Sequence, residues 1–324
     1  MTAPQDGKTV LLLKPRGFCA GVVRAIDIVR IALEVFGPPI YVRKEIVHNR
    51  YVVEELAAKG AIFVDSVREV PEGERVIYSA HGVSPEVREG SQQRKLRVID
   101  ATCPLVTKVH VEAVRFAREG YSLVLIGHRD HDEVIGTLGE APQATQVVST
   151  VGEVESLVVP DPKRVAYLTQ TTLSLDETRD IIAALKKRFP NIQGPAAQDI
   201  CYATENRQVA VKEVAGGADL LLVVGSENSS NSNRLVEVAR KQGTPSYLID
   251  SCGDIRAEWL KEVRTVALTA GASAPECLVQ EVVAFLEQAG FANVEEVEVM
   301  PENVRFGLPP EIVEAIAPAS AAAE

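Results

Sequence analysis

Short apolar runs alternate along the chain with longer amphipathic stretches: LLL before AGVVRAIDIVRIALEVF, IYV before YVVEELAA, LVLI before EVIGTLG, and LLLVV before NRLVEVARKQ. A brief apolar run bounded by turn-formers reads as a buried strand, whereas apolar residues at i, i+3, i+4 and i+7 read as a helix packed on one face. Their regular alternation predicts an α/β protein with parallel sheets.

The pattern repeats three times. LLLKPRGFCAGVVRAIDIV, RVIDATCPLVTKVHVEAVRF and QDICYATENRQVAVKEV each carry a strand, a cysteine and a helix opening at or just after it. Each set is followed by a strand with a polar loop and a helix, a short strand with a turn, and a strand ending in SAHG, TQTT or TAGA. Val67 and Val151 fall 48 residues after Cys19 and Cys103, and Cys252 falls 51 after Cys201. The weak member is the first strand of the third set, where AAQDI is hardly apolar. The expected architecture is three similar small parallel α/β domains over 10–100, 101–198 and 199–285, with a C-terminal extension over 286–324. Ligands of open parallel sheets sit beyond the carboxyl ends of strands, so three such ends facing one centre would make one composite site.

A chain of 324 residues has room for two or three such units. Its net charge of −11 argues against a general nucleic-acid or anionic-membrane binder, which would need a basic field. No apolar run approaches the ~18 residues of a membrane span, and MTAPQDGKTV lacks the charged and apolar regions of a signal peptide. The expected location is therefore the cytoplasm, with reduced cysteines. The low-complexity end APASAAAE reads as a frayed tail.

The register sorts the five cysteines. Cys252 aligns with valines, and Cys277 lies in the apolar helix PECLVQEVVAFLEQ, so both read as small core side chains. Cys19, Cys103 and Cys201 sit at strand-to-helix junctions, where a helix N-terminus favours a thiolate. Three thiolates converging from three units suggest a metal or cluster with an open coordination position. An iron–sulfur cluster and a cysteine-ligated zinc both suit that set. Without a CxxC, the support comes from the threefold register; tight-turn cysteines left by duplication are the plainer alternative.

His48, His81, His128 and His131 fall at strand ends, together with Glu133, Thr169, Thr171, Thr172, Ser229, Ser230, Asn231 and Ser273. His110 lies inside a predicted helix and reads as structural. HRDHDE pairs imidazole with carboxylate, which suits either proton relay or an ordinary helix start. GSENSSNSNRL offers hydroxyls and amides at another helix start, without a Walker lysine or a GxGxxG fingerprint. Such neutral donors favour a compact anion such as a diphosphate, although Ser, Asn and Gly are also common turn-formers.

PRGFCAGVVRA, the HN of VHN, SAHGVSP, DATCPLVTKVH, GHRDHDEVIGT, TQTTLS, DICYATENRQ, NSSNSNRL and GASAPE together resemble the 4-hydroxy-3-methylbut-2-enyl diphosphate reductases of isoprenoid biosynthesis, from about residue 10 to 280. The resemblance implies a pseudo-threefold trefoil around a central iron–sulfur site. It also implies a [4Fe-4S] cluster on Cys19, Cys103 and Cys201, with the fourth iron free for the substrate hydroxyl. It assigns the diphosphate to His48, His81, Ser229, Ser230, Asn231 and Ser273, lines the pocket with His131, and makes Glu133 the proton-delivering carboxylate helped by Thr171. The implied reaction is a two-electron, two-proton reductive dehydroxylation giving isopentenyl and dimethylallyl diphosphates, with ferredoxin or flavodoxin as electron donor. A cluster dehydratase resembling quinolinate synthase and a non-enzymatic iron–sulfur sensor are the alternatives. The first needs a dicarboxylate pocket and the second an output module.

Overall fold

The computed structural model describes residues 7–317, in which twelve strands form three parallel sheets. One sheet contains β2 (Ile40–Arg43), β3 (Ala61–Val64), β4 (Arg75–Tyr78) and β5 (Arg97–Asp100), in the order β3-β2-β4-β5. A second contains β6 (Ser122–Ile126), β7 (Thr145–Val148) and β8 (Val165–Thr169), in the order β7-β6-β8. The third contains β1 (Thr9–Lys14), β9 (Leu220–Val224), β10 (Ser246–Ile249), β11 (Thr265–Ala270) and β12 (Asn293–Glu298), in the order β10-β9-β11-β1-β12.

Strand pairing differs from the sequence expectation in one instructive way. The segment before each cysteine joins the sheet of the preceding unit: β1 lies beside β11, β5 beside β4, and Gln193 forms a single bridge to Ala166 of β8. Thus the strand expected to open residues 10–100 belongs to the sheet of β9–β11. The strand expected at AAQDI is absent, and the nearest pairing is that lone bridge at Gln193. Gly194 and Pro195 follow at once, and neither supports a continued ladder.

Past each cysteine the chain enters the next unit as a helix. Helix α1 (Ala20–Phe36) packs Ile26 and Val29 among Val42, Ile77 and Ile99. Helix α4 (Pro104–Arg118) packs Val109, Ala113 and Phe116 on Leu123 and Leu125. Helix α8 (Tyr202–Val214) packs Ala210 and Val211 against Leu221 and Val223. Each cysteine therefore stands at a seam between two cores. Every side chain of β9 is buried, as expected for a central parallel strand. Truncating Leu222 to alanine there would cost ~2–5 kcal/mol through lost burial and a cavity.

The described part of the extension, residues 286–317, is structured. β12 runs beside β1 for six residues, and α11 (Pro310–Ile316) buries Ile312 in the core beneath α1. The tail past residue 317 lies outside the described residues. Among the described residues no helix is long and apolar enough to cross a membrane.

Candidate active site

Cys19, Cys103 and Cys201 occupy the N-cap positions of α1, α4 and α8, and none makes a side-chain capping bond. Their thiols line one cavity of about 100 Å³ where the three units meet. Burial pushes the Cys103 thiol up to about 12 and the Cys201 thiol up to about 11, with neighbouring cysteine thiols adding to both shifts. Such thiols stay protonated unless a cation offsets the cost of three adjacent thiolates. Gly21 explains how they approach: a Cβ there would lie 2.8 Å from Cys103 Sγ and 3.9 Å from Cys19 Sγ. A convergent set of three soft donors, with room kept by a missing side chain, fits a thiolate-bound metal group.

Glu133 lies in the same cavity, one residue inside α5 (Asp132–Glu140), and is only 2% exposed. Its Oε1 accepts the Thr171 backbone N–H at 2.6 Å, and its Oε2 accepts the Thr171 hydroxyl at 2.9 Å. Burial outweighs these bonds and pushes the carboxyl up to about 7. At neutral pH it can therefore hold or release a proton. His131 caps the helix, its Nδ1 accepting the Glu133 backbone N–H at 3.2 Å, which fixes the tautomer with the proton on Nε2.

Three imidazoles form one wall. His48 and His81 stack with centroids 3.9 Å apart, and His131 meets them edge-on at 5.3 and 5.7 Å. Burial lowers His81 well below its ordinary value and takes His131 down to about 3, so both are neutral. At the rim, Glu45 accepts from Asn228 Nδ2 at 2.7 Å and faces His48 Nδ1 at 3.1 Å.

Another part of the lining starts helix α9 (Ser230–Lys241), whose N-cap Ser229 accepts the Ser232 N–H. Asn231 is held by both ends, its Oδ1 accepting Ala272 N–H at 2.8 Å and its Nδ2 donating to Thr204 Oγ1 at 3.3 Å. The Ser273 hydroxyl donates to His48 O at 2.8 Å, and Ser230 donates to Thr172 O at 3.1 Å. A helix N-terminus ringed by hydroxyls and neutral imidazoles can bind an anion without a lysine. The lining contains no lysine or arginine.

Most of the residues singled out from the sequence meet in this cavity: Cys19, Cys103, Cys201, His48, His81, His131, Glu133, Thr171, Thr172, Ser229, Ser230, Asn231 and Ser273. His128 and Thr169 do not line it. His128 instead lies near Arg234 and Glu177, and the Thr169 backbone N–H donates to Asp199. His110 pairs with Glu140 at 3.0 Å, as befits a structural histidine. Cys252 packs against the core of β9–β11, but Cys277 is exposed, contrary to the reading of it as core. Leu278, Val279, Val282 and Val283 form the buried stripe of α10 (Glu276–Gln288), and Cys277 lies off it. Sequence reasoning missed Gly21 and Thr204. Thr204 lies one turn past Cys201, with its Oγ1 3.2 Å from the sulfur.

Comparison with known proteins gives the family. Residues 10–287 match the family model described as LytB protein. The 4-hydroxy-3-methylbut-2-enyl diphosphate reductase of Acidothermus cellulolyticus is 56% identical over 310 residues, covering 95% of this chain and 91% of that protein. The solved E-1-hydroxy-2-methyl-but-2-enyl-4-diphosphate reductase from Plasmodium falciparum superposes with a TM-score of 0.93 at 43% identity, covering 96% of this chain and 98% of that one. A second solved (E)-4-hydroxy-3-methyl-but-2-enyl diphosphate reductase, described as the terminal enzyme of the non-mevalonate pathway, gives a TM-score of 0.62 at 31% identity, covering 87% of this chain and 99% of that one. With sequence, family model and three-sheet fold in agreement over nearly the whole chain, the chain belongs to the 4-hydroxy-3-methylbut-2-enyl diphosphate reductase family, the LytB proteins.

Proposed function

We propose that the cavity between the three units carries out this family's reaction, the reduction of 4-hydroxy-3-methylbut-2-enyl diphosphate, with Cys19, Cys103 and Cys201 holding a [4Fe-4S] cluster. Its activity is that of the terminal reductase of the non-mevalonate route to isoprenoids. The observation that carries the site assignment is the meeting of three buried thiols and one protonatable buried carboxyl in one cavity. When bound, the cluster supplies electrons and a Lewis-acidic iron with an open position.

The protein's own groups do the rest. Ser229, Ser230, Asn231 and Ser273 grip the diphosphate from the α9 side, and His48 and His81 from the histidine wall. Hydrogen bonds to an anion are strong in a dry site, so neutral donors suffice. The anion also raises the basicity of the neutral His81 and His131, which then accept a proton more readily. Glu133 holds its proton on the carboxyl and releases it toward the departing hydroxyl oxygen, which leaves as water. Thr171 keeps the carboxyl aimed through two hydrogen bonds, and the Thr171 hydroxyl stands next in line to pass the proton on. His131 fixes the start of the helix that carries Glu133 and lines the substrate space.

Two electrons and two protons convert the allylic alcohol into isopentenyl and dimethylallyl diphosphates. A ferredoxin or flavodoxin in the cytoplasm is the proposed source of electrons. The test is anaerobic: reduced viologen dye is mixed with reconstituted protein, and its oxidation is followed on adding 4-hydroxy-3-methylbut-2-enyl diphosphate. The proposal expects rapid substrate-dependent oxidation with both products formed. No oxidation by protein that carries its cluster would overturn it.

A further inference from the structure

Arg207 is the largest fully buried side chain in the described structure, and the reaction has no use for it. On one side its guanidinium grips Glu302 with both nitrogens, Nη1 to Oε2 at 3.0 Å and Nη2 to Oε1 at 3.1 Å. On the other, Nη2 donates to the carbonyl of Gly17 at 2.7 Å and Nη1 to that of Ala203 at 2.9 Å. Those carbonyls lie two residues before Cys19 and two after Cys201. The same pair of turns is joined again, because the Ala20 N–H donates to the Tyr202 hydroxyl at 3.1 Å.

Arg24 repeats the arrangement at the next seam. From α1 its Nη1 donates to the carbonyl of Thr102, the residue before Cys103, at 3.0 Å. Its Nε donates to the carbonyl of Gly307 at 2.7 Å. Both arginines therefore reach from a cysteine turn to one stretch of chain between β12 and α11. The stretch is anchored at both ends, where Val299 N–H donates to Lys14 O and Ile312 is buried beneath α1. Asn206 Nδ2 adds a bond to Glu302 Oε2 at 3.1 Å.

We propose that residues 299–308 form a strap that sets the relative position of the three cysteine turns, with Arg207, Arg24 and Glu302 as positioning residues for the metal ligands. The physical reason is that the three thiols come from three separately packed units, so no single core fixes their spacing. A planar guanidinium with several donors in fixed directions can hold two carbonyls and a carboxylate at once, which a lysine does not do. A buried ion pair is also a device for specifying one arrangement rather than for adding stability. The part of the proposal concerning metal ligands rests on the cluster reading above.

The test uses the full chain in two states, with Glu302→Ala and Arg24→Gln compared to wild type. In cluster-free, reduced protein, amide hydrogen exchange should rise several-fold at residues 16–20 and 202–204 in Glu302→Ala. In Arg24→Gln it should rise at 19–24 and 101–104. Exchange in β6, remote from the strap, should stay at the wild-type rate in both. In reconstituted protein, a chelator should strip iron several-fold faster from each variant, followed by loss of the visible cluster absorbance. Unchanged exchange at the cysteine turns, or an equal rise in β6, would overturn the strap. Wild type that takes up no iron would instead sink the cluster assignment, and the exchange measurement would still decide the strap. Arg24 is only partly buried, so its variant keeps the test open if Glu302→Ala does not fold.

Discussion

Replacing Glu133 by glutamine removes the proposed proton while keeping the shape. The amide Oε1 still accepts the Thr171 N–H, and the Thr171 hydroxyl, which now accepts where it donated, turns to take the amide N–H. General acid catalysis contributes roughly 10²–10⁴-fold, so turnover of the cluster-bearing variant should fall by about that factor. In the wild type, turnover should decline as pH rises through about 7, because the acid form of Glu133 empties there. The variant should lack that limb. The same group predicts a stability effect whose sign follows from proton binding. Below the ordinary value of 4.5 both folded and unfolded Glu133 are protonated, and nothing is gained or lost. Between 4.5 and about 7 the unfolded chain has released a proton that the folded chain retains, so stability falls as pH rises across that window. Above it the cost is complete, and at ~1.4 kcal/mol per unit it amounts to about 3 kcal/mol. Glutamine carries no such cost. The variant should therefore gain about 3 kcal/mol on the wild type between pH 4.5 and 8, read from urea unfolding of both cluster-free proteins. Asp199, pushed up to about 6 by burial, gives a slope of the same sign in both proteins and enters the difference only through its charge repulsion with Glu133. Near wild-type turnover would remove Glu133 as the acid, and a stability difference flat with pH would show that burial does not raise its carboxyl.

Thr171→Val removes a hydroxyl bond that favours the ionised carboxylate. At ~1.5–3 kcal/mol for a bond to a charged group, the high-pH limb should move up by about one to two units in a pH–rate profile. Gly21→Ala would place a methyl 2.8 Å from Cys103 Sγ, so bound iron per chain should drop sharply in a colorimetric assay, with far-UV circular dichroism unchanged. Cys252→Ala should leave iron content at the wild-type value, because Cys252 packs against a core away from the cavity; lost iron there would contradict the ligand assignment.

The convergence of the candidate site residues was largely legible because its signals are local. A cysteine at a helix start and a polar loop after an apolar strand are each visible in a short segment, their threefold recurrence appears on comparing the three segments, and the residues so singled out, the three thiols, Glu133 and the Ser/Asn loop, line one cavity. Failures arose where the answer depends on partners far along the chain. The register alone gives no sign that β1 pairs with β11, more than 250 residues away, and joins the sheet of another unit. His128 and His131 share one short loop, yet only the one that caps α5 reaches the cavity. Cys277 sits in an apolar helix but on its outward face, a distinction of one position in the helical period. The strap was invisible for the same reason: Glu302 meets Arg207 across 95 residues, and nothing in PENVRFG announces it. Family membership also displaces the dehydratase and sensor alternatives, which the residues alone had left standing.

The proposed cluster would be held by Cys19, Cys103 and Cys201 and would leave one iron open to substrate. It is tested most directly by Mössbauer spectroscopy of the ⁵⁷Fe-reconstituted protein before and after adding 4-hydroxy-3-methylbut-2-enyl diphosphate under anaerobic conditions. The account predicts a four-iron cluster in which one iron differs from the three held by Cys19, Cys103 and Cys201, and in which that iron alone changes its signal when substrate binds. Four equivalent irons unaffected by substrate, or no cluster on the wild-type chain, would contradict it.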